Sequence, residues 1–121
     1  MDEVIEDFMY KIITKNDLVI VAFKGVMNKN AKDQLETCLQ ELSSFESKIV
    51  VLLFKEVPTV EISVLRELSF IQHETRKKNK LFLVDLRSRL KQFLYDKGVI
   101  RLVEIKPSLE HILNEISQTQ K

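Results

Sequence analysis

Few side chains in this sequence have the types and spacings that support catalysis or metal binding. Neither His73 nor His111 has a second histidine or cysteine at metal-ligand spacing, so we interpret both as solvated helix residues. Cys38 falls on the apolar face of a predicted helix, where cysteine is usually a small core residue; a reactive thiol needs a basic, exposed setting. We therefore predict no catalytic residue, no metal site and no cofactor.

Phosphate and nucleic-acid binding are not favoured by the sequence either. Gly25 and Gly98 are the only glycines, and neither lies in a phosphate-binding motif. Nineteen Lys and Arg residues against eighteen Asp and Glu residues give a formal charge of +1, without the basic excess that nucleic acid attracts. The basic stretch 76–80 ends a predicted helix and contains no aromatic residue for base stacking, so we interpret it as a solvated helix end.

The length of 121 residues is typical of one domain, and we expect a single unit over 1–121 with an ordered core at about 9–117. The ends, roughly 1–8 and 117–121, are expected to be loose. One cysteine favours a reducing compartment, and the start of the chain is acidic where a signal peptide would be basic. No apolar run reaches the roughly 20 residues that cross a bilayer, so we expect a cytoplasmic protein without membrane insertion.

The elements that would position any site are strands and helices in regular alternation. Two β-branched runs flank the turn-forming Lys15–Asp17 and predict a hairpin, which Gly25 ends. The uninterrupted apolar run Ile49–Phe54 is typical of a strand buried on both faces. The order β-β-α-β-α-β-α-β-α predicts an α/β fold with a mixed, mostly parallel sheet of about five strands, an N-terminal hairpin and about four helices. The predicted strands are 10–14, 18–23, 49–54, 81–84 and 100–103.

Four segments have apolar residues at helical spacing. Asn30 is the predicted N-cap of the first helix, and a loop over 55–61 precedes the second, at about 62–78. Gly98 is placed to cap the third helix, and Pro107 to start the fourth. The predicted buried faces are Ala31, Leu35, Cys38, Leu39 and Leu42; Val64, Leu65, Leu68, Ile71 and Thr75; Leu86, Leu90, Phe93 and Leu94; and Leu109, Ile112, Leu113 and Ile116.

Phe70 lies beside the buried face of the second predicted helix rather than in it. Its neighbours on the helix surface are Glu67, His73 and Glu74. Single exposed apolar residues are common, but an aromatic residue on a polar helix face is also how a protein-binding surface begins. Both interpretations stay open.

The chain resembles the STAS domain family (sulfate transporter and anti-sigma-factor antagonist) from about Tyr10 to Ile116. Val19–Gly25, followed by Val26-Met27-Asn28 and Ala31, is similar to the family's second strand, its Gly-x-Leu-Asp turn and the start of its first helix. The other matching segments are 49–57, 81–84, 90–99 with Gly98, and 107–110. The resemblance implies a binding module that sequesters an anti-sigma kinase and so releases a sigma factor.

In such domains a Ser or Thr at the start of the second helix is phosphorylated, in an Asp-Ser-Ser-Gly-like motif. The family's Asp, acceptor, Ser and Gly fall on Glu61, Ile62, Ser63 and Val64. Isoleucine has no hydroxyl group, so the usual switch is absent at that position. Ser63 remains a candidate acceptor, and Thr59 a more remote one; we favour the alternative, that Ser63 is an ordinary first-turn serine. The Asp of the family's central strand is also replaced, by Leu53.

The resemblance gives two hypotheses about partners. In the first, the chain is a non-enzymatic anti-sigma-factor antagonist that binds a histidine-kinase-like serine kinase. In the second, it is an accessory or scaffold subunit, such as the STAS-like component of a lipid-transport (ABC) complex. A small enzyme or nucleotide binder has no supporting set of residues, and the oligomeric state stays open, with a homodimer among the alternatives. The predicted partner-binding residues are Glu56, Pro58, Thr59, Glu61, Ile62, Ser63, Arg66 and Phe70.

Overall fold

The computed structural model describes residues 8–15 and 17–119 and contains a five-stranded sheet. The strands lie in the order β1-β2-β3-β4-β5; β1 and β2 pair antiparallel, and the remaining pairs are parallel. Two-residue periodicity puts successive side chains on opposite faces, so β2, β3 and β4 each contribute to two apolar layers. The strands are β1 (Met9–Lys15), β2 (Leu18–Lys24), β3 (Ile49–Glu56), β4 (Lys80–Val84) and β5 (Ile105–Lys106).

The two faces of the sheet are covered unequally. Three helices, α1 (Lys32–Leu42), α2 (Leu65–Arg76) and α3 (Ser88–Asp96), pack on one face and form the larger core cluster. The other face is covered by α4 (Leu109–Thr119), whose Ile112 packs into the smaller cluster. This is the predicted fold class, and the order of strands and helices is confirmed.

Two glycines end elements where the backbone needs a conformation that side chains disfavour. Gly25 follows β2 with φ of +98°, and its N–H donates to the carbonyl of Glu56 at 2.9 Å. Gly98 follows α3 with φ of +71°, as the predicted C-terminal cap requires. Both positions confirm what the sequence indicated.

The predicted last strand, Ile100–Val103, is wrong in position. Ile100 is buried in the larger core, while Leu102 and Val103 are 51% and 80% exposed in a 3-10 turn. The strand that pairs with β4 is the two-residue β5 that follows. An apolar run of this length can fill a core from a loop, and periodicity does not distinguish that arrangement from a strand.

Helix termini and one helix face also differ from the expectations. Asn28, not Asn30, is the capping residue: its Oδ1 accepts from the N–H of Asn30 at 2.9 Å ahead of a 3-10 turn that leads into α1. The second helix begins as a 3-10 turn, Ile62–Val64, and becomes regular at Leu65. Leu113 is 36% exposed because α4 packs alone on its face of the sheet, so the flank of its apolar stripe meets solvent.

One of the terminal residues expected to be loose is packed in the core. Phe8 is 5% exposed, and its ring lies 5.8 Å from that of Phe23. At the other end α4 continues to Thr119. The remaining residues expected to be loose, 1–7 and 120–121, and Asn16 of the predicted turn, lie outside the described residues. None of the described helices is long and apolar enough to cross a membrane.

Candidate protein-binding surface

The segment between β3 and α2 is held in place by buried valines. Val57 and Val64 are fully buried, and Val60 is 6% exposed. Burying a valine side chain contributes about 1.5–3 kcal/mol relative to leaving it exposed. The three anchors therefore fix the course of the loop, and the residues between them point away from the core.

Backbone hydrogen bonds to Met27 hold the same loop from its other side. The N–H of Met27 donates to the carbonyl of Thr59 at 3.1 Å, and its carbonyl accepts from the N–H of Glu61 at 2.8 Å. This is a short parallel bridge between Met27 and Val60. Met27 itself is fully buried, so the loop is part of the folded core rather than a loose connection.

All eight residues predicted to bind a partner are exposed. The side chains of Ile62 and Phe70 are 67% and 54% exposed, although both are large and apolar. Glu56 ends β3, and the others follow it through the loop, the 3-10 turn and the first half of α2. We call these eight residues the loop–helix surface: Glu56, Pro58, Thr59, Glu61, Ile62, Ser63, Arg66 and Phe70.

The two candidate phosphoacceptors lie in different parts of this surface. Ser63 is exposed in the 3-10 turn that opens the second helix. Thr59 is exposed in the loop, three residues before the turn begins, and its carbonyl accepts a hydrogen bond from the N–H of Met27. Both hydroxyl groups are on the outside of the molecule. Ile62, which aligns with the family's acceptor by the resemblance, is the first residue of the turn.

Beside the loop–helix surface, α1 and α2 enclose a groove that the sequence did not reveal. Its volume is about 610 Å³. Glu67 and Phe70 both line the groove, and Oε1 of Glu67 is buried without a hydrogen-bond partner among the described residues. Sequence spacing identified Glu67 only as a neighbour of Phe70, because which helix packs opposite α2 is not a local property. The lining residues are Leu35, Glu36, Leu39 and Gln40 of α1 and Arg66, Glu67, Phe70 and Ile71 of α2.

The other end of α2 is fastened by a network of side chains. Arg76 donates from Nε and Nη2 to the two carboxylate oxygens of Glu104, each at 2.7 Å, and from Nη2 to Oε1 of Gln72 at 3.2 Å. Gln72 is fully buried, and its Nε2 donates to the carbonyl of Leu68 at 3.2 Å. The interpretation of stretch 76–80 as a solvated helix end is therefore wrong for Arg76, whereas Lys77 and Lys78 are exposed.

The potentially reactive side chains lie where the sequence placed them. Cys38 is fully buried on α1, and burial raises the pKa of its thiol to about 12. His73 is exposed on α2, and His111 is exposed with its Nε2 3.4 Å from Oε1 of Glu115. Among residues 8–15 and 17–119, no three His, Cys, Asp or Glu side chains are grouped to hold a metal ion.

The fold and sequence pattern can be compared with known proteins. The sequence profile of the STAS domain family matches residues 10–112, which is most of the chain. The chain belongs to the STAS domain family. The resemblance inferred from the strand, turn and helix motifs is thereby confirmed.

Two solved structures share the fold over most of their length. An anti-sigma factor antagonist from Mycobacterium paratuberculosis superimposes with a TM-score of 0.78 at 13% identity, covering 92% of this chain and 95% of that one. The STAS domain of a SulP transporter from Vibrio cholerae superimposes with a TM-score of 0.70 at 22% identity, covering 88% of each. At these identities the likeness establishes the fold.

One curated protein is similar in sequence over a shorter stretch. The ribosome maturation factor RimM of Prochlorococcus marinus (strain AS9601) is 29% identical over 100 residues, which cover 74% of this chain and 56% of that protein. The chain thus spans about half the length of the curated relative that it matches.

Proposed function

We propose that this STAS domain is a non-enzymatic protein-binding regulator that acts as an anti-sigma-factor antagonist in the cytoplasm. The observation that carries the proposal is the exposure of Ile62 and Phe70, 67% and 54%, on a segment whose valine anchors are buried. A rigid surface with exposed apolar residues loses little conformational entropy when a partner covers it. The loop–helix surface is the binding site in this proposal.

The proposed partner is an anti-sigma factor of the histidine-kinase-like serine kinase class. The anti-sigma factor antagonist from Mycobacterium paratuberculosis shares the fold across 92% of the chain, which supports this choice over an enzymatic role. A formal charge of +1 and the mixed charges of Glu56, Glu61 and Arg66 suit a protein partner better than nucleic acid.

The proposed regulator lacks the usual phosphoserine switch. Ile62 takes the acceptor's position by the resemblance, and its exposed side chain adds apolar contact area instead of a site for about two negative charges. We expect the intact mass of the protein from its native cells to show no phosphate. Phosphate on Ser63 or Thr59 would contradict the loss of the switch and identify the acceptor.

Charge substitutions on the surface test the proposal directly. Ile62→Asp and Phe70→Asp should each reduce capture of the kinase at least about tenfold, since each puts a charge into a desolvated contact. Val103→Asp is the matched control, because Val103 is 80% exposed but belongs to the turn before β5. Capture would be quantified by affinity purification followed by mass spectrometry, with circular dichroism to check folding. Equal capture by all three variants would refute the choice of surface.

A second candidate function is an accessory or scaffold subunit of a transport complex. The likeness to the SulP transporter STAS domain from Vibrio cholerae favours it, since that domain is part of a transporter. The same purification separates the two functions. A transporter ATPase subunit among the partners would support the accessory role, and a histidine-kinase-like ATPase would support the antagonist.

A further inference from the structure

Three cationic side chains meet at the edge of the sheet where the parallel strands end. Lys24 is the last residue of β2, Lys55 is the penultimate residue of β3, and Arg87 follows β4 just before α3. The carboxyl ends of adjacent parallel strands lie at the same edge of a sheet, which brings these residues together from three distant parts of the chain. We call the groove of about 470 Å³ that they line the basic groove. Its other lining residues are Gly25, Val26, Glu56 and Pro58.

The positive charge of the basic groove is not neutralised within the described part of the chain. Its lining contains one carboxylate, Glu56, against three cations, and none of the three forms an ion pair with a described residue. The whole chain has a formal charge of only +1, so this concentration of charge is local. Cations that share a groove raise the positive potential inside it and attract anions. The basic groove therefore favours an anionic ligand.

A second groove adjoins the basic groove and shares Pro58 and Arg87 with it. Its volume is about 600 Å³, and it adds one more exposed cation, Arg89, next to an apolar lining that includes the buried Leu90 and the half-buried Phe93. A compact anion such as phosphate would meet only one of the two grooves. Cations beside apolar side chains over two adjoining grooves instead suit an extended peptide that carries carboxylates and an apolar residue.

The first turn of α3 is charged against the usual preference of a helix. Arg87 is the N-cap residue and its side chain makes no capping hydrogen bond, Arg89 lies in the first turn, and that turn contains no acidic residue. The amino end of a helix has a partial positive charge, so cations are unfavourable there and anions are favourable. Carboxylates bound to Arg87 in the grooves would offset this repulsion, which supports the same kind of ligand.

We infer that the two adjoining grooves bind an acidic segment of a protein partner, with its carboxylates on Lys24, Lys55 and Arg87. The inference rests on the proposed function, because the partner supplies the segment. The basic groove shares Glu56 and Pro58 with the loop–helix surface, so a partner that covers that surface also reaches the grooves. The contact region thus extends from α2 across the end of the sheet to the start of α3.

The test uses a small probe, so it does not depend on identifying the kinase. Acetyl-Glu-Glu-Leu-Glu-Glu amide would be titrated at low ionic strength into the full ¹⁵N-labelled chain and followed by two-dimensional NMR. We expect saturable shifts at backbone amides of residues 24–26, 55–58 and 87–90, with a dissociation constant in the millimolar range. The peptide with glutamine in place of each glutamate, and inorganic phosphate, should bind at least about fivefold more weakly. Raising the ionic strength to about 0.15 M should weaken binding of the acidic peptide, since salt screens exposed charges.

Matched charge variants show whether the cations of the grooves bind the carboxylates. Arg87→Gln should weaken binding of the acidic peptide about tenfold, because Arg87 lines both grooves and a charge-assisted hydrogen bond becomes a neutral one. Lys78→Gln removes an exposed cation that lines neither groove and should leave the affinity unchanged. Thermal unfolding of both variants would confirm that they are folded.

Several results would overturn the inference: no saturable shifts, shifts mapped elsewhere, equal binding of the glutamine peptide or of phosphate, or unchanged affinity in Arg87→Gln. The chain's own acidic start is a rival occupant, which a variant with its four carboxylates neutralised tests. If the peptide bound that variant but not the unchanged chain, the rival would be the occupant and the inference about a partner would be wrong. The variant combines Asp2→Asn, Glu3→Gln, Glu6→Gln and Asp7→Asn.

Capture of the kinase separates this inference from the proposed function. Arg87→Glu should lower capture at least about fivefold, and unchanged capture would show that the kinase does not use the grooves. Capture that is insensitive to Ile62→Asp and Phe70→Asp refutes the loop–helix surface instead. If the acidic peptide still binds the grooves in that case, the site for an acidic segment stands and only the regulator role fails.

Discussion

The two ends of α2 present opposite arrangements of exposed and paired side chains. In the 3-10 turn before α2 and in the first half of the helix, Ile62 and Phe70 are exposed, and within the described part of the chain the Glu61 side chain does not cap that turn. At the carboxyl end, Arg76 is 19% exposed and pairs with both oxygens of Glu104. The carboxyl end of the helix is thus held by side-chain pairing, whereas the apolar side chains nearer its amino end are not covered by any described residue.

The difference separates residues that stabilise the fold from residues available to a partner. A long polar side chain such as Arg76 is expected in solvent, yet its contacts are internal. A large apolar side chain such as Ile62 is expected in the core, yet it is exposed although buried anchors on either side fix its position. A large apolar side chain that is exposed although its segment is held by buried anchors is the best local sign of a binding site.

The largest loss of stability is expected at the carboxyl end of α2. Arg76→Ala should lower the free energy of unfolding by about 1.5–3 kcal/mol, because it leaves the largely buried carboxylate of Glu104 unpaired. Urea denaturation would measure the loss. Arg76→Ala combined with Glu104→Ala should cost less than the sum of the single variants. Strictly additive losses would show that the two side chains do not act as a pair.

A smaller loss of stability is expected in the turn before α2, which the buried Val64 anchors. Val64→Ala should cost about 1.5 kcal/mol or more, since about 0.8 kcal/mol is lost per buried methylene group and a cavity remains. Ile62→Ala, in the same turn, should change stability by less than about 0.5 kcal/mol because its side chain is 67% exposed. If urea denaturation showed a larger loss of stability for Ile62→Ala than for Val64→Ala, Ile62 would be a structural residue and the contrast between the two ends would be wrong.

The smallest effect concerns an exposed pair at the carboxyl end. Lys77 Nζ lies 2.8 Å from a carboxylate oxygen of Glu74, and this hydrogen bond lowers the pKa of Glu74. A lowered pKa gives stability that is present above the ordinary value and is lost as the pH falls through the folded value. Lys77→Ala should raise the pKa of Glu74 in an NMR titration and leave the unfolding midpoint in place. A shifted midpoint would mean that this pair, like Arg76, helps to fasten the helix.

Sequence patterns located the buried side of α2 and part of its exposed side. Leu68, Ile71 and Thr75 recur at helical spacing and are buried, and Phe70 was noted because it lies beside that stripe. The loop–helix surface came from the family resemblance, and its eight residues are exposed. Its role in partner binding remains a prediction.

Two features of α2 could not be predicted from residue spacing: the burial of Gln72 and the groove lined by Glu67. Both depend on contacts between different parts of the chain. Gln72 is polar and lies next to the stripe, but Arg76 and the carbonyl of Leu68 pair its amide in the interior. Glu67 faces α1, whose relevant residues are about thirty positions earlier in the chain. Such neighbours meet only after the sheet has set the distance between the two helices.

The sequence by itself determined the order of strands and helices, the mixed sheet and the family, because hydrophobic periodicity and turn residues act over a few neighbouring positions. The tertiary structure decided which apolar run became β5, why Leu113 stays exposed and which glutamate pairs with Arg76. Those outcomes depend on which elements are in contact across the sheet. The same contacts give α2 its fastened carboxyl end and leave Ile62 and Phe70 exposed at its amino end.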